Sequence, residues 1–237
     1  AFFEAMSGLT TTGSTVFSDL DQMPKGLLLW RGLLQWLGGI GIIVVAMVFL
    51  PELRVGGMQI FRSEGFDTFG KILPRATEIS SRISSIYLFL TMSCAAAYML
   101  SGMTAFDATV HAMTTIATGG FANYDASFAA FEGASASVAI VFMILAALPF
   151  VRFVQMTAGT ARPLLHDSQI RFFLKTTVLI IAGLTAWRVI HDGVTTVAGV
   201  RDVVFNVVSI LTGTGYASAD YMLWGGLPVT VLFFVGL

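Results

Sequence analysis

One short pattern occurs three times in this chain and restricts its fold more than any other feature. The copies are Ser7-Gly8-Leu9-Thr10-Thr11-Thr12-Gly13-Ser14, Thr114-Thr115-Ile116-Ala117-Thr118-Gly119-Gly120-Phe121 and Ser209-Ile210-Leu211-Thr212-Gly213-Thr214-Gly215-Tyr216. They stack without gaps. A hydroxyl residue (Ser7, Thr114, Ser209) stands three positions before a small one (Thr10, Ala117, Thr212), and a glycine (Gly13, Gly120, Gly215) follows three further on. The register continues upstream through Phe3-Glu4-Ala5-Met6, Val110-His111-Ala112-Met113 and Phe205-Asn206-Val207-Val208. Self-similarity at a spacing is the signature of repeat architectures. Here the glycines recur about every hundred residues, too far apart for a solenoid, so the unit is a large module arranged around something shared.

The solvent for that module is lipid. Mean hydropathy is +0.82, 56% of residues are hydrophobic and only 11% are charged, whereas soluble domains carry roughly a quarter charged residues. The formal net charge of -1 hides an uneven layout and so says nothing useful about nucleic acid, which is not expected as a partner. The single cysteine, Cys94, lies in an apolar run and reads as a small buried hydrophobe, so neither a disulfide framework nor a thiolate metal site is available. The chain opens at Ala1 in mid-pattern without a signal peptide, and is expected to be a piece of a longer protein.

Taken in order, residues 1–10 are apolar but cover only about half of a ~30 Å hydrocarbon core at ~1.5 Å per residue, which predicts a re-entrant half-helix ended by Gly13. A full span is expected over 27–50, closed by Pro51 and Glu52, with Arg31 and Gln35 near its start and a Gly38-Gly39-Ile40-Gly41 run suited to close helix packing. A polar connector with Arg54, Arg62, Lys71, Arg75 and Arg82 leads to a span over 83–103, a second half-helix over 106–116 and the second glycine pattern. Then come a span over 135–154 with Pro149 kinking its end, a connector with Arg162, Arg171 and Lys175, a span over 176–190, a third half-helix over 200–211 and a further span from 223. The modules are therefore 1–50, lacking its opening span, 83–154, and 176–237, lacking the rest of its last span, joined by connectors 51–82 and 155–175. The fold class expected is an all-α membrane protein of repeated pore modules.

Nine of the thirteen Lys and Arg residues fall in or beside the two connectors, counting Arg152, and none lies in 101–151. By the positive-inside rule the connectors are cytoplasmic and all three glycine patterns face outward. Irregular backbone at membrane depth is tolerated only where it is buried in protein or lines a water-filled cavity, so three such stretches at one depth imply a shared pore. Each half-helix would aim its partially negative C-terminal end at the bilayer centre, which favours a cation. Glycine then allows successive carbonyls to face inward, as in potassium filters. Candidate ligands are Thr10, Thr11, Thr12, Gly13, Ala117, Thr118, Gly119, Gly120, Thr212, Gly213, Thr214 and Gly215, flanked by Ser14, Phe121 and Tyr216. With no carboxylate in the patterns, a monovalent ion such as K+ suits them better than Ca2+ or Mg2+.

Beyond these patterns, Trp30-Arg31-Gly32-Leu33-Leu34-Gln35-Trp36-Leu37-Gly38-Gly39-Ile40-Gly41 and Gly56-Gly57-Met58-Gln59-Ile60-Phe61-Arg62-Ser63-Glu64 are specific strings. With them the whole chain resembles the TrkH/TrkG branch of the Trk/Ktr/HKT superfamily of potassium transporters. The resemblance implies four M1-P-M2 repeats around a K+ pore, with filter glycines at Gly13, Gly120 and Gly215 and a fourth filter and gating loop beyond Leu237. Plant relatives with serine at the first of these positions prefer Na+, so Gly13 implies K+ uptake. The resemblance also implies a bacterial inner-membrane location, homodimers and a cytosolic ring of TrkA-type nucleotide-binding subunits at the connectors. No organic cofactor is expected.

Two rivals remain. An alternating-access symporter coupled to K+ or Na+ would hold a midplane site between glycine-broken helices, but it predicts inverted repeats and these share one order and orientation. An intramembrane enzyme finds no support, since His111, His166 and His191 are scattered and show no metal-ligand spacing. His111 stands where Glu4 and Asn206 stand in the other copies, which reads as a polar position flanking a helix.

Overall fold

The computed structural model describes residues 1–49, 76–131, 133–157, 159–160, 164 and 166–236. The first connector with Arg54, Arg62, Lys71, Arg75 and the string 56–64 lies outside the described residues, as do Pro51, Glu52, Glu132, Arg162 and Leu237. The described residues form helices and turns without a strand. In order they are α1 (Phe2–Leu9), α2 (Lys25–Phe49), α3 (Ala76–Leu100), α4 (Ala105–Ile116), α5 (Gly133–Ala147), α6 (Phe150–Thr157), α7 (Ser168–Asp192), α8 (Val197–Leu211) and α9 (Gly226–Val235).

The helices that run into the glycine patterns are short. α1, α4 and α8 have 8, 12 and 15 residues, about 12, 18 and 22 Å of helix. Thr104 and Thr196 cap the starts of α4 and α8 by accepting from the Asp107 and Gly199 N–H groups, at 3.1 Å each, which satisfies donors that a helix start leaves open. By contrast α2, α3 and α7 have 25 residues each. Among the described residues, Ser80–Leu100 and Ser168–Asp192 are long and apolar enough to cross a membrane. Their outer faces expose Leu88, Phe89, Met92, Phe172, Val178 and Leu179, the pattern of a surface solvated by lipid rather than water.

The span expected over 135–154 is instead two helices, α5 and α6, meeting at 87°. Pro149 lacks an N–H and disfavours helical geometry at Leu148, so the helix breaks there. Packing then sets the direction. α6 turns against α3, burying Phe150, Phe153 and Val154, with the Phe150 ring 5.8 Å from that of Tyr87.

α7 begins at Ser168 rather than near 176, because Asp167 caps it by accepting from Gln169 N at 2.8 Å and Ile170 N at 3.4 Å. The Arg152 guanidinium pairs with the same carboxylate at 2.6 Å. Burial works to raise the pKa of this carboxyl, but the Gln169 N–H, Arg152 and the Ile170 N–H outweigh it and hold the group below its ordinary value. The contribution to stability is therefore present at neutral pH and is lost as pH falls through the lowered pKa.

Packing follows the repeat. α2 lies between α1 and α4 and also touches α3, α5 lies between α4 and α8, and α9 touches α8. The next main helix after each glycine pattern thus contacts its own short helix and, for α2 and α5, the short helix of the next module. The glycines of α2 permit the approach. A methyl at Gly38 would overlap the Leu9 carbonyl, and one at Gly39 would lie 2.8 Å from the Tyr87 hydroxyl and 3.0 Å from Ala117. Around Gly41 there is open space. Gly38→Ala is therefore expected to cost about 1–3 kcal/mol by forcing α2 off α1, whereas Gly41→Ala should be neutral or slightly stabilising. Thermal unfolding of the two purified variants in detergent checks the contrast.

Candidate ion-binding site at the glycine turns

After each short helix the chain makes the same turn. The N–H groups of Thr12, Gly119 and Thr214 return to the carbonyls of Ser7, Thr114 and Ser209, each at 2.9 Å, and those of Thr11, Thr118 and Gly213 return to Gly8, Thr115 and Ile210, each at 3.0 Å. Left-handed backbone recurs at two equivalent places. Thr11, Thr118 and Gly213 have φ of 55°, 49° and 75°, and Gly13, Gly120 and Gly215 have φ of 78°, 76° and 82°. Only glycine takes the second position freely. Threonine at the first is strained by about 1–3 kcal/mol, a cost that persists only where the surroundings over-determine the backbone. Two of the three turns carry that strain.

The turns also meet. A methyl at Gly13 would overlap the Gly119 carbonyl oxygen, and one at Gly120 would overlap that of Thr214. Gly119 and Thr214 are equivalent positions, each one residue before its glycine. The first turn therefore abuts the second with the same stagger as the second abuts the third. Of the residues singled out in the sequence, Gly13, Gly119, Gly120, Thr214 and Gly215 share this seam. Thr10 and Thr12 join their hydroxyls at 2.8 Å, as do Thr212 and Thr214, whereas Ala117 and Gly119 have no hydroxyl there.

Phe121 and Tyr216, expected only to flank the turns, tie modules together. The Phe121 ring approaches Gly8 of α1. Tyr216, wholly buried, reaches the Thr114 hydroxyl, lies 3.2 Å from that of Thr115 and donates to the His111 carbonyl at 3.2 Å, all on α4. Gly8 and Thr115 are equivalent, so the residue after the second and the third glycine each leans on the short helix of the module before it. Ser14 is exposed, and its carbonyl accepts from Ser7 Oγ at 2.6 Å.

The polar position shared by Glu4, His111 and Asn206 is not merely helix-flanking. All three are fully buried, and each holds the chain twelve residues on, as it leaves its turn. Glu4 Oε2 accepts from Val16 N at 3.1 Å, His111 Nε2 from Asn123 N at 3.4 Å, and Asn206 Nδ2 donates to Ser218 Oγ at 3.2 Å.

Two residues on α2, noted in the sequence without a role, hold the turns from outside the repeated pattern. Arg31, 1% exposed, donates to Glu4 Oε1 at 2.7 Å and to the Ala122 carbonyl at 2.9 Å, and its guanidinium lies 4.2 Å from the centre of the Phe121 ring. Gln35, also buried, donates from Nε2 to the Gly119 carbonyl at 2.6 Å and accepts from Phe121 N at 3.0 Å. Their only sequence signal was polarity inside an apolar span, which marks function in membranes.

A family model described as TrkH, cation transport protein, matches residues 1–235. The chain belongs to the TrkH family of cation transport proteins. That makes it a member of a transport family, not an enzyme family. Among its relatives, it is 45% identical over 237 residues to the Trk system potassium uptake protein TrkI of Halomonas elongata, covering 99% of this chain and 48% of that protein. It is 37% identical over 241 residues to the Trk system potassium uptake protein TrkH of Escherichia coli K12, covering 98% and 49%. Its fold is similar to the crystal structure of the potassium transporter TrkH from Vibrio parahaemolyticus, with a TM-score of 0.85 at 35% identity over 99% of this chain and 48% of that one. The chain spans about half the length of the curated relatives it matches.

The Arg31–Glu4 pair links α2 to α1 inside the protein. Removing one partner of a buried pair strands the other charge and costs about 3–5 kcal/mol, while replacing both is far milder. Arg31→Met is accordingly expected to lose most of the folded protein from the membrane, and adding Glu4→Gln to restore part of it. Quantifying detergent-resistant protein in membranes of the single and double variants measures both.

Proposed function

We propose that this chain is part of a K+ uptake protein, contributing three sides of a pore whose ion-facing surface is the main chain of the three glycine turns. In this reading α1, α4 and α8 are re-entrant pore helices of M1-P-M2 modules. Thr10 to Gly13, Ala117 to Gly120 and Thr212 to Gly215 form the selectivity filter, and the stretches between α2 and α3 and between α6 and α7 are cytoplasmic connectors. The observation that carries it is the doubled stagger, glycine against the preceding carbonyl of the next turn, which is how equivalent strands are set around an axis.

Physical chemistry supports the ion. The short helices end at the seam, where peptide dipoles present partial negative charge, and carbonyl and threonine oxygens replace a hydration shell without a carboxylate to favour divalent ions. The names of the relatives support K+ as cargo. An alternating-access symporter gains no support, because the modules repeat with one orientation rather than an inverted one. From the family resemblance we extend to the whole protein a multi-pass inner-membrane location, homodimers and TrkA-type nucleotide-binding subunits beneath the connectors.

Gly120→Ser in the full-length protein brings a side chain onto the Thr214 carbonyl at a left-handed position. Preference for K+ over Na+ should fall about tenfold or more, equivalent to about 1.4 kcal/mol. Tracer uptake of both ions in a K+-uptake-deficient strain reads this, and an unchanged ratio with normal protein levels refutes the assignment.

A further inference from the structure

The three turns are not held in the same way. In the first and third, the hydroxyl of the module's own short helix staples the residue after the glycine. Ser7 Oγ donates to the Ser14 carbonyl at 2.6 Å and Ser209 Oγ to the Tyr216 carbonyl at 2.7 Å. In the second turn the equivalent hydroxyl, Thr114, is taken up by Tyr216 of the third module and by the carbonyls of Val110 and His111. The second turn is held at different backbone groups, and from another module. The Gln35 side-chain amide straddles Gly120, gripping Gly119 O on one side and Phe121 N on the other. There is no room for anything else, since a methyl at Gly119 would run into this amide.

We propose that Gln35 is a specificity-determining positioning residue, which sets the second turn's carbonyls from the helix of the first module. This rests on the pore reading above. By holding the peptide units on both sides of a left-handed glycine, Gln35 fixes their orientation. The carbonyl it holds is the one that borders Gly13, so the same amide fixes the spacing between the first and second turns. Arg31, one helical turn earlier, secures the next step through the Ala122 carbonyl and the Phe121 ring. α5, which occupies the corresponding place between the second and third modules, has serine as its only polar residue type and offers no such amide.

The test is the ratio of K+ to Na+ uptake by the full-length protein reconstituted in liposomes, normalised to protein incorporated. Gln35→Met keeps length and removes both hydrogen bonds, and should lower the ratio about tenfold, the scale of one net hydrogen bond. Gln35→Glu keeps the acceptor for Phe121 N but loses the donor to Gly119. It should lower the ratio too, and it decides the question if the methionine variant does not fold. Thr91→Val removes the 3.0 Å bond from Trp36 that ties α2 to α3 away from the turns, and should change stability without changing the ratio. If both Gln35 variants keep the native ratio while Gly120→Ser shifts it, Gln35 is structural only and the proposal is overturned with the pore reading intact. If Gly120→Ser leaves the ratio unmoved as well, the pore reading itself fails.

Discussion

Everything near the seam depends on main chain meeting main chain without a side chain between. Gly13 faces the Gly119 carbonyl and Gly120 that of Thr214, so both positions need a bare Cα for contact and a left-handed φ for direction. These two demands coincide on one residue in the first turn and one in the second, while Gly215 in the third meets only the demand for a left-handed φ. Backbone groups are also the polar groups that can be placed most closely, since their positions follow from the fold rather than from rotamers. The strained Thr11 and Thr118 are held by the same framework of returning N–H groups.

Such a seam is weak unless its surroundings are rigid, and here rigidity comes from contacts between modules. Phe121 leans on α1 and Tyr216 on α4, while α2 and α5 each sit between successive short helices. A turn is therefore fixed partly by its own helix and partly by a neighbour. The buried Arg31 guanidinium condenses this into one group, reaching Glu4 in its own module and Ala122 and Phe121 in the next. Desolvating it is costly, and the cost is offset only because its acceptors and its ring partner arrive together.

Much of this was legible in the sequence, and what was not has a common cause. The short helices, their ends and the close-packing role of Gly38 and Gly39 follow from local pattern, because length, apolarity and glycine act within a few residues. The bend after α5 was read as a kink, since Pro149 announces a break but only the apolar face of α6 and its fit against Tyr87 set the 87° turn. The start of α7 was placed late because Arg171 and Lys175 resemble connector, whereas the Asp167 cap carries the helix through them. Gln35 and Arg31 were noted as polar residues near the start of a span but given no role, because these partners lie 84 and 91 residues away and no local period reports such a pairing. Glu4, His111 and Asn206 were aligned correctly, but three different side chains conceal a shared task that only the chain twelve residues on reveals.

The repeats keep geometry while exchanging chemistry. A carboxylate and an imidazole accept from the backbone N–H twelve residues on, an amide reaches the side chain of the equivalent residue, and where the first and third turns have a serine staple the second is held by a glutamine from another module. What is preserved is therefore the path of the main chain, while each junction is free to choose its own fastening. The first junction is polar, built on Arg31 and Gln35. The second is aromatic, with Tyr216, Phe128, Phe205 and His111 packed together and a tyrosine hydroxyl on α4. Polar fastenings in a lipid-solvated protein hold orientation tightly because the alternative is an unpaired buried group, whereas ring packing tolerates small shifts. The fastenings between the first and second turns thus come largely from Arg31 and Gln35, residues that lie outside the repeated pattern altogether.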